Sequence, residues 1–63
     1  MLKVNQVVEL KDECKTPRCK KGIDFRTGRD YSKYKVVAIK KVNCIAYNLG
    51  TFVNVTLRIE NLK

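Results

Sequence analysis

Histidine is absent from this 63-residue chain, and carboxylates are few, with six Asp and Glu residues in all. Without histidine the chain lacks the commonest general base, the usual partner of a cysteine nucleophile and a frequent zinc ligand. The carboxylates form no spaced pair within one element, and the sequence contains no glycine-rich phosphate loop. We therefore expect a protein that binds a partner without catalysing a reaction and that uses no cofactor or metal.

Long hydrophobic runs are also absent. No apolar stretch approaches the roughly 18–20 residues of a membrane span, so we expect no membrane partner. Residues 1–6 lack the apolar core of a secretory signal peptide. An odd number of cysteines, three, without such a signal favours a reducing compartment. These features predict a cytoplasmic protein.

The chain is short enough to limit the fold to one domain, which we place at residues 1–63. Its hydrophobic content of 44% is typical of a folded chain and not of a disordered one. A core of this size leaves only a few kcal/mol of stability, and chains this small often depend on a disulfide, a metal or a partner.

The C-terminal third has the clearest periodicity. Residues 52–59 alternate between apolar and polar side chains, and β-branched types dominate, which predicts a half-buried strand. Asn and Gly in residues 48–50 favour a tight turn because both tolerate positive φ. With the short apolar segment 43–47 before the turn, the pattern predicts a hairpin. Residues 60–63 suit one helical turn, from which Leu62 folds back as a plug.

Two further strands are predicted upstream. Residues 34–42 are rich in β-branched side chains, but apolar residues occupy both faces, which indicates a strand that is bent by a bulge or by coiling. Residues 7–10 predict a short first strand with Val8 and Leu10 on the core face. Between these strands, residues 12–33 are too long for an unstructured loop, so we expect an excursion with turns and a short ladder of its own.

The order of these elements resembles a known group. A first strand Val-Asn-Gln-Val-Val-Glu-Leu-Lys-Asp leads to a long loop, then to Tyr-Lys-Val-Val-Ala-Ile, a turn at Asn-Leu-Gly and a closing Val-Thr-Leu-Arg-Ile-Glu-Asn-Leu. This order is similar to that of the small SH3-like β-barrels, which include KOW and Tudor-type modules and many short phage- or prophage-encoded proteins. The resemblance implies an all-β fold: a five-stranded SH3-like barrel with a long basic loop after the first strand and a short C-terminal helical turn. The KOW glycine and the Tudor aromatic cage have no counterpart here, so the resemblance implies the fold and no particular function.

Positive charge is concentrated in the middle of the chain. The chain has fourteen basic and six acidic residues, a net charge of +8, and residues 11–41 hold eleven of the basic and four of the acidic ones, a net charge of +7. Clustered cations attract polyanions because phosphate contacts release condensed counterions, although a lysine-rich loop also serves solubility. The cations that we expect to contact a nucleic acid are Lys15, Arg18, Lys20, Lys21, Arg26, Arg29, Lys33, Lys35, Lys40 and Lys41.

Aromatic residues are interleaved with these cations. Phe25, Tyr31 and Tyr34 are predicted to stack on bases, since small barrels hold single strands with aromatic platforms beside cations. The alternative is that the three rings anchor the long loop to the barrel while the lysines remain solvated. For the aromatics we favour the anchoring role.

The cysteines allow three interpretations. Cys14 and Cys19 flank a Pro-containing turn that a disulfide could close, and with Cys44 and Asp12 or a water they could instead form a zinc site. A zinc site would be short of ligands, because structural sites normally use four Cys or His side chains. In a reducing compartment all three cysteines would stay reduced, with Cys44 a small core residue. We favour this third interpretation.

Two principal functions follow from these features. The leading hypothesis is a DNA- or RNA-binding module that makes backbone contacts through residues 15–41 and therefore shows weak sequence preference and steep salt dependence. The alternative is a protein-interaction module, such as a small phage-type adaptor or inhibitor that docks on an acidic host protein surface. A third interpretation is a structural piece of a larger assembly.

Overall fold

The computed structural model describes residues 2–63, except for the side chain of Arg18. Strands account for most of the regular structure within this range. They are β1 (Val7–Glu9), β2 (Ile23–Asp24), β3 (Arg29–Asp30), β4 (Lys33–Ile39), β5 (Asn43–Asn48) and β6 (Asn54–Arg58). The helical elements are α1 (Pro17–Lys21) and two 3₁₀ turns, Asp12–Cys14 and Ile59–Asn61. All strand pairs are antiparallel, which confirms the predicted all-β class.

The strands form two sheets. The larger has the order β1-β4-β5-β6, and β2 pairs with β3 in a separate ladder. The C-terminal residues extend the larger sheet beyond β1, because Leu10 and Leu62 form an isolated bridge. Next to that bridge the Lys63 N–H donates to the Glu9 carbonyl at 2.9 Å. The pairing in residues 2–63 is therefore that of six strands in antiparallel sheets, and the five-stranded barrel stays a prediction.

One face of the larger sheet carries the core. Along β5 the side chains of Cys44, Ala46 and Asn48 are buried and their neighbours are half-exposed, which is the period of two that a strand with one covered face requires. Cross-strand partners share this face, as Val36 does with Ala46. The buried hydrophobic residues are Val8, Leu10, Cys19, Tyr34, Val36, Cys44 and Ala46.

The predicted bend in the fourth strand is present. The register of β4 against β5 shifts between Val36 and Ala38, and this bulge moves the following side chains to the opposite face. Val36 is fully buried, whereas Val37 is 45% exposed. The adjacent valines that disturbed the sequence alternation therefore mark the bulge itself.

The excursion from residue 12 to 33 contains the one helix that the sequence pattern did not predict. α1 begins after Thr16, whose side-chain hydroxyl accepts from the Cys19 N–H at 3.3 Å, and Pro17 occupies its first turn. It ends at Gly22, which adopts a φ of 72°. The predicted short ladder follows as β2 and β3. No helix in the described part of the chain has the length and apolar character needed to cross a membrane.

A single buried amide connects the excursion to the β5–β6 turn. Asn48 is 5% exposed, and its Oδ1 accepts from the N–H groups of Gly50 at 2.7 Å and Thr51 at 2.8 Å. Its Nδ2 donates to the carbonyl of Tyr31 at 3.1 Å. Gly50 lies directly against Tyr31, where an added Cβ would come within 2.3 Å of the Tyr31 ring. The predicted turn at residues 48–50 is thus confirmed, and it also anchors the end of the excursion.

Replacing this amide should destabilise the whole fold. Asn48→Ala removes three hydrogen bonds at a buried position, and we expect it to lower the free energy of unfolding by about 2–4 kcal/mol. Asn54→Ala, at an exposed position of β6, should change it by less than about 0.5 kcal/mol. Chemical denaturation of both variants measures the difference, and equal losses would contradict the role assigned to Asn48.

Candidate nucleic-acid interface

Some of the predicted contact cations are paired with the protein's own acids. Lys33 lies opposite Glu9 in the β1–β4 ladder, and its Nζ is 2.6 Å from Glu9 Oε1. Lys15 pairs with Asp12 at 3.3 Å, and 15% of its side chain is exposed. Lys63 approaches Glu9 at 4.0 Å and Asp12 at 3.9 Å, which joins the two pairs. Lys33 therefore links β4 to β1, Lys15 pairs within the first 3₁₀ turn, and Lys63 links the C-terminus to both acids.

The ionisation of Glu9 reflects this arrangement. The hydrogen bond from Lys33 lowers the pKa of the Glu9 carboxyl below its usual value, with further help from the charges of Lys33, Lys63 and Lys15, while partial burial works against it. The cross-strand pair consequently favours the charged carboxylate in the folded state.

Within the excursion, four cations with described side chains are exposed and outside such pairs. Lys20 and Lys21 end α1, Arg26 lies in the β2–β3 turn and Arg29 begins β3; we call these four the arm cations. Among the side chains that the structure describes, none of them forms an ion pair.

The acids of the same segment are occupied in other ways. Asp24 accepts from the Arg26 backbone N–H at 2.9 Å, and Asp30 accepts from the Ser32 N–H at 3.0 Å and from the Ser32 hydroxyl at 2.6 Å. Such bonds shape the turns of the excursion. Because these carboxylates are used to fix the backbone, the arm cations are left available to an external anion.

Two arm cations converge on a cleft. Lys21 and Arg29 line an open depression of about 620 Å³. The described lining is completed by Pro17, Tyr31, Gly50 and Thr51. These residues come from α1, from β3 and its flank, and from the β5–β6 turn, so the cleft exists only when the excursion is docked on that turn.

An aromatic pair, with Tyr47 half-buried and Phe52 exposed, adjoins the cleft. The rings of Tyr47 and Phe52 are stacked, with 6.1 Å between centroids and 17° between planes, and we call this pair the aromatic shelf. The guanidinium carbon of Arg29 lies 4.6 Å from the centroid of Phe52, within cation–π range. The cross-strand partner of Tyr47 on β4 is Lys35. The Lys35 side chain is exposed on the same outer face of the sheet as Tyr47. Arg29, the shelf and Lys35 therefore form one row of cations and rings.

The aromatic residues that the sequence singled out lie elsewhere. Tyr34 is buried, and its hydroxyl is 2.9 Å from the Cys19 thiol, so it anchors α1 to β4 and cannot stack on a base. Tyr31 is half-buried against Gly50 at the base of the cleft. Phe25 is 94% exposed in the β2–β3 turn. The anchoring alternative thus describes Tyr34 and Tyr31, and only Phe25 is fully open to solvent.

The remaining predicted cations are separated from the cleft. Lys40 and Lys41 are exposed in the β4–β5 turn, at the opposite end of the seven-residue β4 from Lys33. At about 3.3 Å per residue this separation is roughly 20 Å. The side chain of Arg18 lies outside the described residues. The nine predicted cations with described side chains therefore divide into two in ion pairs, two in the cleft, two exposed elsewhere on the excursion, one on the outer face and two in a distant turn.

All three cysteines are free thiols in the structure, so the Cys14–Cys19 disulfide that the sequence allows is not formed. Cys44 is fully buried within β5, as the core interpretation predicted. No group of three or more Cys, Asp or Glu side chains in the described residues is arranged to hold a metal ion.

Burial affects the thiols and the neighbouring phenol differently. Burial raises the pKa of Cys44. Burial also opposes ionisation of Cys19, but hydrogen bonds with Thr16 and Tyr34 outweigh it and lower the pKa of this thiol. Burial and the contact with Cys19 raise the pKa of Tyr34 to about 12. The Cys19–Tyr34 contact is therefore a buried polar link in the core under α1.

Sequence reasoning missed the aromatic shelf. Tyr47 lies between the buried Ala46 and Asn48, so the period of two places it on the outer face, and this could have been read from the sequence. Phe52 could not, because its orientation depends on a φ of 58°, a left-handed conformation that a bulky residue rarely adopts.

The Glu9–Lys33 pair makes stability depend on pH. Because folding lowers the pKa of Glu9, its carboxylate stabilises the fold at neutral pH, and this contribution is lost as the pH falls through the lowered pKa. We expect Glu9→Gln to melt a few degrees below the wild type at pH 7 and the gap to close once the pH is well below about 4.3. Thermal melts followed by circular dichroism test this.

The matched control is Glu60→Gln, which breaks the exposed 3.1 Å pair with Arg58 and should alter the melting temperature little at either pH. A gap between the wild type and the Glu9 variant that persisted unchanged in acid would contradict the assigned pKa shift.

Comparisons with known proteins do not assign the chain to a family. Neither the protein families, nor the curated proteins, nor the solved structures yielded a match to the chain. The features that bear on function are therefore the arm cations, the cleft and the aromatic shelf.

Proposed function

We propose that this chain is a non-enzymatic module that binds nucleic acid through the arm cations and the adjoining cleft. The observation that carries the proposal is the division of charge. Lys15 and Lys33 are neutralised by internal carboxylates, while Lys21 and Arg29 are unpaired among the described side chains and line a common cleft. Cations held close together without internal counterions favour a polyanion, because their mutual repulsion is relieved when it binds.

The mode of binding follows from the residue types. Lysine and arginine side chains on turns and a short helix reach phosphate oxygens, which position a nucleic acid without reading its sequence. Each phosphate that is neutralised releases condensed counterions, so affinity should fall steeply with salt. The proposed module is therefore one of weak sequence preference.

We further propose that the fold belongs to the SH3-like barrels. The order β6-β5-β4-β1, continued by the C-terminal residues beside β1, supports this proposal. So do the long excursion after β1 and the 3₁₀ turn Ile59–Asn61 before the final bridge.

A protein-interaction module is the second candidate, and one observation favours it. In the described ladders β6 pairs with β5 alone, so its outer edge is open to strand addition. Val42, just before β5, and Val53, just before β6, are 59% and 55% exposed. An extended segment of an acidic protein could pair with this edge.

The decisive experiment compares two variants that remove the same charge. The arm variant changes Lys20, Lys21, Arg26 and Arg29 to Ala; the control changes Lys3, Lys11, Lys40 and Lys41, which are all exposed and outside the ion pairs of the described residues. Fluorescence polarisation measures affinity for single- and double-stranded DNA and for RNA across a salt series. We expect the arm variant to lose about tenfold or more near 0.1 M salt and to flatten the salt slope by up to about 3.

The control variant should stay within about threefold of the wild type. Equal losses in the two variants would show that net charge alone governs binding and would remove the site. Polyglutamate serves as a polyanion without bases or phosphates; tight binding to it, with none to DNA or RNA, would favour the protein-interaction module instead.

A further inference from the structure

The cleft has the chemistry of an anion site. Lys21 and Arg29 bring positive charge, Thr51 adds a hydroxyl, and no carboxylate belongs to the described lining. Donors without a competing acid select an anion, and a planar guanidinium is suited to phosphate. A volume of about 620 Å³ lies in the range of small-ligand sites, so the cleft can hold a phosphate together with part of its sugar.

The aromatic shelf is joined to this cleft by one side chain. Arg29 lines the cleft and also lies 4.6 Å from the centre of the Phe52 ring. Phe52 remains 49% exposed even with Arg29 and Tyr47 against it. A phosphate held by Arg29 would therefore bring its own nucleotide next to the half-exposed Phe52 ring.

The exposed position of Phe52 is fixed by the backbone. Its φ of 58° is costly for a bulky residue, and the turn imposes it through the Phe52 N–H, which donates to the Asn48 carbonyl at 2.9 Å. The neighbouring Thr51 N–H is held by the Asn48 side chain. The ring is thus presented before any ligand arrives, which lowers the ordering cost of binding.

We infer that the site takes single-stranded nucleic acid: one base stacks on the aromatic shelf while an adjoining backbone phosphate enters the cleft between Lys21 and Arg29. This inference rests on the proposed function and specifies that the bound nucleic acid is single-stranded. A duplex keeps the faces of its bases inside its own stack, whereas a single strand offers them to aromatic and guanidinium groups. Lys35, beside Tyr47 on the outer face, lies where it can meet the next phosphate.

An acidic peptide fits this surface less well. Its carboxylates would satisfy Lys21 and Arg29, but aspartate and glutamate have no flat ring to place on Phe52 and Tyr47. Stacking uses the π-face that every base possesses, so the aromatic shelf is explained by a nucleic acid and left unused by a purely acidic chain.

The test uses the two phenylalanines of the chain as a matched pair. Phe52→Leu keeps an apolar side chain and removes the flat ring, and Phe25→Leu makes the same change at the 94% exposed position in the β2–β3 turn. Phe52→Tyr restores a ring. Affinities are measured for a thymidine oligonucleotide of about ten residues and for a hairpin duplex with the same number of phosphates. Circular dichroism confirms that each variant is folded.

We expect Phe52→Leu to weaken binding to the thymidine oligonucleotide by roughly 5- to 150-fold, the value of one stacked base. Duplex affinity should stay within about twofold, and Phe52→Tyr should match the wild type on both probes. A larger loss from Phe25→Leu than from Phe52→Leu would place the stacking ring in the β2–β3 turn and overturn the aromatic shelf as the site. Equal effects of Phe52→Leu on the two probes, or none on either, would overturn the single-strand site. If the arm variant still lost affinity while Phe52→Leu gave either of these results, the proposed function would stand without the single-strand site. If the wild type bound neither probe, both the proposed function and the single-strand site would be wrong.

Discussion

The buried amide of Asn48 is the constraint on which the rest of the structure depends. A primary amide that is 5% exposed must have its donor and acceptor satisfied, and here the acceptor binds the β5–β6 turn while the donor binds the Tyr31 carbonyl. Tyr31 lies seventeen residues before Asn48 in the sequence. Because one side chain satisfies both, the turn and the end of the excursion can only form together, and the cleft between them forms with them.

The few acidic side chains serve two different roles in this basic chain. A strongly basic chain of this size must either separate its cations or neutralise them, since self-repulsion opposes a compact state. Glu9 and Asp12 neutralise the cations that join β1, the first 3₁₀ turn and the C-terminus. Asp24 and Asp30 instead fix the turns of the excursion through backbone N–H groups. Glu9 and Asp12 therefore stabilise the region where the C-terminus lies beside β1. The positive charge of α1 and of the β2–β3 ladder is left without internal counterions among the described side chains.

The aromatic surface shows that local strain accompanies the proposed site. Gly50 permits the close approach of Tyr31, and two residues later Phe52 takes a left-handed conformation that leaves its ring half-exposed beside Arg29. In a core of seven buried hydrophobic residues such strain is a substantial cost, and the Asn48 hydrogen bonds offset it. The turn that stabilises the fold thus also presents the ring that we propose stacks on a base.

Periodicity and turn chemistry were enough to predict the hairpin after residue 43, the bent strand with its adjacent valines and the first strand with Val8 and Leu10 inside, because these are local properties of alternating side chains. The sequence also located the positive charge within residues 11–41. It did not predict α1, which is too short to show a helical period, although Thr16-Pro17 is a helix start signal. Tertiary structure decided which cations are neutralised, which rings are buried and which ring is exposed. Tyr34 contacts Cys19, fifteen residues away in the sequence, and Lys33 contacts Glu9 across the β1–β4 ladder. Phe52 contacts Arg29 only when the excursion docks on the β5–β6 turn. Such contacts depend on how distant segments pack, and no pattern in either segment alone encodes them.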